Sequence, residues 1–200
     1  MSLLFKSSIL ASIVLWSAPL TAAGKDAPFK AGPAAGYSSK QTNEGVTIAA
    51  VPFDTEERAR EAFGKLNPNR YGVLPVLVVI RNGGSDVLRL EDLRVEYMTP
   101  SRSKIEATPA RDVPYLSAPN RPRPIPGPTG GMKIGRSKNP LANPVIDVRA
   151  FSARMLPKGE EASGFFYFQT GHRHGSQVYV AGIRLAGSGK ELFYFEIRME

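Results

Sequence analysis

The side chains that could do chemistry are few. Histidine occurs twice, at His172 and His174, with Arg173 between them and glycines on either side. On an extended chain a His-x-His pair aims both imidazoles one way and could make half of a copper or zinc site. Such a site needs further ligands, none lies nearby in sequence, and Arg173 repels a cation. The pair therefore reads as a solvated hairpin tip, and no metal or other cofactor is assigned. Cysteine is absent, which removes thiol catalysis, zinc knuckles, iron–sulfur clusters and disulfides together. Adjacent carboxylates occur at Glu56-Glu57, Glu91-Asp92 and Glu160-Glu161, positions that read as caps and turns. No catalytic residue is assigned, and the chain is expected not to be an enzyme. The competing enzymatic reading is a hydrolase of envelope carbohydrate, its two carboxylates brought together from distant residues. The run GPTGGMK at residues 127–133 lacks the spacing of a phosphate-binding loop and follows no suitable strand.

The stronger chemical signal is charge. Residues 114–144 hold eight prolines and five cations, Arg121, Arg123, Lys133, Arg136 and Lys138, and no acid. Proline favours extended polyproline conformations in the first half, and glycine a mobile second half. The five cations are the candidate binding residues, suited to an anionic polysaccharide, lipid headgroups or an acidic patch on an envelope protein. Nucleic acid is disfavoured: no aromatic is interleaved for base stacking, and an exported protein rarely meets it. The net charge of +8 points the same way, although it also serves solubility.

Export is expected from residues 1–23. Lys6 supplies a positive start, residues 9–16 an apolar run, and Ala22-Ala23 small residues for cleavage. The run is too short for the roughly 20 residues that span a bilayer. No membrane span is expected after cleavage, and the setting is periplasmic or secreted. Residues 24–44, small and polar with scattered glycine and proline, read as a flexible tail. Residues 45–200 read as one domain that carries the long basic loop at 114–144.

The elements that hold these residues are mainly strands. Residues 73–80 are apolar and β-branched, as in a strand covered on both faces. Asn82-Gly83-Gly84-Ser85 suits a tight hairpin into residues 87–90. Leu93, Val95 and Tyr97 alternate with Arg94 and Glu96, a strand with one buried face. Further strands are expected at 46–53, 104–107, 164–169, 177–185 and 191–199. Asp54 and Glu57 suggest a capping box for a short helix ending at Gly64. Asn143-Pro144 opens a second helix, in which Val148, Phe151 and Met155 share a face. A strand exposing Phe151, Ala153 and Met155 is the competing reading. The fold class expected is mainly β: an immunoglobulin-like sandwich of about seven or eight strands with one or two short helices.

Two stretches, GVLPVLVVIRNGGSDVLRLEDLRVEY at 72–97 and MLPKGEEASGFFYF at 155–168, carry a family likeness. Together they resemble bacterial exported immunoglobulin-like β-sandwich domains of unknown function. The resemblance implies that fold and an extracytoplasmic setting, and implies no site residues.

Overall fold

The computed structural model describes residues 29–116 and 139–199. The expected leader at 1–23 and the five candidate cations lie outside these residues. The fold is a β-sandwich with all its sheet pairings antiparallel. One sheet is ordered β1 (Lys40–Asn43), β2 (Val46–Pro52), β3 (Leu74–Asn82) and β8 (Glu161–Phe168). The other is ordered β11 (Phe195–Arg198), β9 (Gln177–Ala181), β5 (Arg94–Met98) and β6 (Lys104–Glu106). A small third sheet joins β10 (Arg184–Leu185), β4 (Leu88–Arg89) and β7 (Met155–Leu156). Setting β1 aside, the orders β2-β3-β8 and β11-β9-β5-β6 are the A-B-E and G-F-C-C′ orders of immunoglobulin-type domains.

The main core lies between the two large sheets. Ile48, Val76, Val78, Ile80 and Phe168 from one meet Val95, Tyr97, Val178, Val180 and Phe195 from the other. Strand β3 is covered on its far face as well, which explains its unbroken apolar run. There Leu77 and Val79 join Phe63 of α1 (Glu56–Phe63), Ile146 of α2 (Val145–Arg149), Val113 and Leu141 in a second cluster. An edge-to-face contact of Phe53 with Phe165, centroids 4.8 Å apart, sits at its centre.

Several local readings are corrected. The stretch read as a flexible tail is strapped down from Phe29 onward: Arg149 donates to the Phe29 carbonyl, Ala34 is buried, and β1 pairs with β2. Helix α1 is capped by the Thr55 hydroxyl, which accepts from the Arg58 N–H, and Asp54 instead approaches Arg58 at 3.8 Å. The turn after β3 makes no hairpin, because β4 pairs with β10 and β7. Buried Asn82 causes this. Its amide nitrogen donates to the carbonyls of Asp86 and Leu156, and its oxygen accepts from the Gly84 N–H. The run 177–185 breaks at Gly182, whose φ is +83°, where a Cβ would come within 2.0 Å of the Asp92 carbonyl oxygen. The last strand, expected from 191, begins at Phe195. Helix α2 stops at Arg149, so Phe151 and Met155 lie on extended chain, nearer the competing reading.

Candidate functional site

Sandwich interiors close when both sheet edges are covered. On one side this happens: the Gln41 side chain of β1 accepts the Glu196 N–H of β11, and Glu44 accepts from Lys190 and the Phe193 N–H. These two donors hold the Glu44 carboxyl below the usual carboxylate range.

The other side stays open. Strand β6 is only three residues long and pairs with residues 96–98 of β5. Past it this edge of β5 carries no further strand among the described residues, only the Ala107 N–H on the Val95 carbonyl, while β9 pairs along the other edge. Beyond β6 the chain crosses to the first sheet, where the Thr108 N–H donates to the Tyr167 carbonyl at 2.7 Å. A chamber of about 350 Å³ lies behind this crossing, against Leu93, Val95, Ala107, Phe151 and Phe166. A second, outer chamber of about 730 Å³ continues from it past Leu93, Phe151 and Phe166 to Ala153 and Arg154. Both volumes fall in the range of about 300–1,000 Å³ found for small-molecule sites.

The walls follow from strand geometry. Alternation along β8 turns Phe166 and Phe168 to the inter-sheet core and Phe165 and Tyr167 to the far face. Phe168 is fully covered; Phe166, at the open edge, is only half-buried. Phe151 stacks on it with centroids 5.5 Å apart and planes at 26°. Gly164 lets it do so. The Phe151 N–H donates to the Phe165 carbonyl, and a Cβ on Gly164 would stand 2.3 Å from the Phe151 Cα. Leu93, Ala107 and Ala153 are likewise apolar residues of the core face left half-buried.

Charge is arranged unevenly around this cleft. Glu96 and Glu106 stand opposite each other in the β5–β6 register. Their neighbours Val95 and Tyr97 face the core, yet both glutamates also line the 350 Å³ chamber. Lys104 reaches Glu96 at 3.0 Å, and Glu106 forms no ion pair among the described residues. At the outer chamber Glu91 is paired with Arg89 at 3.5 Å. Arg154 lines that chamber and forms no ion pair among the described residues.

The residues singled out from sequence fall elsewhere. Arg121, Arg123, Lys133, Arg136 and Lys138 lie outside the described residues; only their stem is seen, where the Asn139 amide donates to the Pro114 carbonyl. The histidines do not form a solvated tip. His174 is exposed, but His172 is half-buried with Nδ1 3.3 Å from the Tyr97 hydroxyl. That hydroxyl is buried, donates to Ser176 Oγ at 2.8 Å and accepts the Arg173 N–H at 3.0 Å. Loss of hydration lowers the His172 pKa below the ordinary imidazole value. Among the described residues no three His, Cys, Asp or Glu side chains are grouped to hold a metal ion.

Sequence alone does not mark the cleft residues as a site: Phe166 lies within FFYF, where every residue has the pattern of core. A lone glycine before those aromatics was the available signal, since glycine inside a strand marks close backbone approach.

No protein-family model matches the chain, and no curated protein matches it. Solved structures similar at low identity include the following three. The candidate lipoprotein YcdA of Bacillus subtilis is 12% identical with a TM-score of 0.38, over 80% of this chain. This chain spans 38% of the length of YcdA. A secreted protein of Mycobacterium tuberculosis is 13% identical, with a TM-score of 0.35 over 82% of this chain and 95% of that one. The candidate ApaA protein of Bordetella pertussis is 12% identical, with a TM-score of 0.33 over 80% and 95%.

Proposed function

We propose that this protein is an exported, non-enzymatic binding or accessory module of the cell envelope. The observation that carries the reading is the open inter-sheet cleft. Half-buried Leu93, Phe151 and Phe166 belong to the core face of the sandwich yet are left for another molecule to cover. Exposed apolar surface of this kind is unfavourable in water, by about 25 cal/mol for each Å² left uncovered. Export is supported by the leader pattern of residues 1–23. Among the described residues no helix is long and apolar enough to cross a membrane. The five cations of the basic segment would hold the module near an anionic envelope surface.

The test is native mass spectrometry of the protein purified from the envelope fraction without denaturant. A chain beginning near residue 24 that carries one non-covalent small molecule, released chemically unchanged on denaturation, is the expected result. A bare chain would count against a ligand-binding module, and release of a cleaved molecule would favour the hydrolase.

A further inference from the structure

The geometry points to a single-chain anionic amphiphile, an acyl chain ending in a carboxylate or phosphate, as the ligand of the cleft. This rests on the binding-module reading above. The inner chamber, beside the Thr108–Tyr167 crossing, has an apolar wall of Val95, Ala107, Phe151 and Phe166 that takes the apolar chain, with Glu96 and Glu106 also in its lining. Leu93 and the Phe151–Phe166 stack continue the apolar wall into the outer chamber. A chain entering from outside therefore finds apolar contacts in both chambers.

The head group is chosen by what waits at the outer end. Arg154 is exposed, lines the outer chamber and is not ion-paired among the described residues. Glu91, the carboxylate at that end, is already engaged by Arg89. At the inner chamber Glu96 is engaged by Lys104 and Arg94 lies 3.9 Å from Glu191, while Glu106 forms no ion pair among the described residues, so an anionic head is disfavoured at that end. An anion at the mouth gains a charge-assisted hydrogen bond from a guanidinium whose planar fork fits carboxylate and phosphate. A cationic head would meet Arg154, and Glu91, the acid lining that chamber, is already paired with Arg89.

Dansyl-undecanoic acid bound to the full mature chain provides the test. Trp16 is the sole tryptophan and lies in the leader, so the exported chain has no tryptophan fluorescence to interfere. Dodecanoate and dodecyl phosphate, below their micelle-forming concentrations, should displace the fluorophore; dodecyltrimethylammonium should not. The two anions separate a carboxylate from a phosphate preference. Arg154→Glu should weaken dodecanoate by about tenfold or more, through the loss of one charge-assisted hydrogen bond and the added like-charge repulsion, with dodecyl maltoside unaffected. Ala107→Trp should fill the inner chamber and abolish binding of every chain, with circular dichroism checking the fold. Equal displacement by all head groups, or an unchanged Arg154→Glu variant, would overturn the anionic head. Absence of any chain binding while the envelope-purified protein still carries a ligand would overturn the acyl assignment alone.

Discussion

Tyr97 shows how one hydroxyl can organise a loop. Its ring is fully buried, and its oxygen joins Ser176, the Arg173 N–H and His172. Tyr97→Phe strips partners from a buried hydroxyl and a backbone N–H, so it should cost about 1–3 kcal/mol in urea unfolding. His172 adds a pH dependence. Its folded pKa lies below the unfolded value because burial disfavours the imidazolium; Asp54 opposes this, and His174 and Arg58 reinforce it. The unfolded chain thus binds more protons near pH 6.5. The stability from neutral His172 is present above the unfolded pKa and is lost as pH falls through the lower folded one. His172→Asn should flatten the midpoint-versus-pH curve through that window; an unchanged slope would remove His172 as its cause.

Among the elements, the crossing segments shape the cleft more than the strands do. Gly164→Ala should push residues 150 and 151 off β8, costing about 1–3 kcal/mol as overpacking does, and should displace Phe151 from Phe166. Amphiphile binding should then fall more than the circular dichroism of the sheets. Asn82 acts at another junction, tying the end of β3 to Leu156 and steering the chain out of the first sheet. Asn82→Ala leaves a buried carbonyl without its donor and should cost about 1–3 kcal/mol in thermal or urea unfolding. The hairpin expected after β3 fails for this reason. Asn-Gly-Gly is good turn chemistry, but a buried amide with three partners outweighs a local preference. The second helix is likewise shorter than its apolar spacing predicts. Val148, Phe151 and Met155 keep a helical spacing, yet the Phe151 N–H is taken by the Phe165 carbonyl across the sheet.

In the molecule as a whole, the proposed roles of charge and cleft separate in their tests. Neutralising Arg121, Arg123, Lys133, Arg136 and Lys138 should abolish salt-sensitive retention on a heparin-like column while leaving dansyl-undecanoic acid binding intact. Retention unchanged by the five substitutions would show that the remaining basic surface, not this segment, attracts polyanions. Much was legible beforehand. The β-rich class follows from period-2 patterns and β-branched runs, and the burial of β3 on two faces from eight residues without a charge. These are local regularities, and a pattern of apolar spacing carries them because each strand must hide one face or both. The cleft was not legible. Whether an aromatic on a core face is covered depends on how far the opposite edge strand runs, and β6 stops after three residues. Sheet order, the crossing at Thr108 and the pairing of Phe151 with Phe166 join residues far apart in the chain. Only packing in three dimensions decides contacts of that kind, because no local spacing encodes which edge is left open.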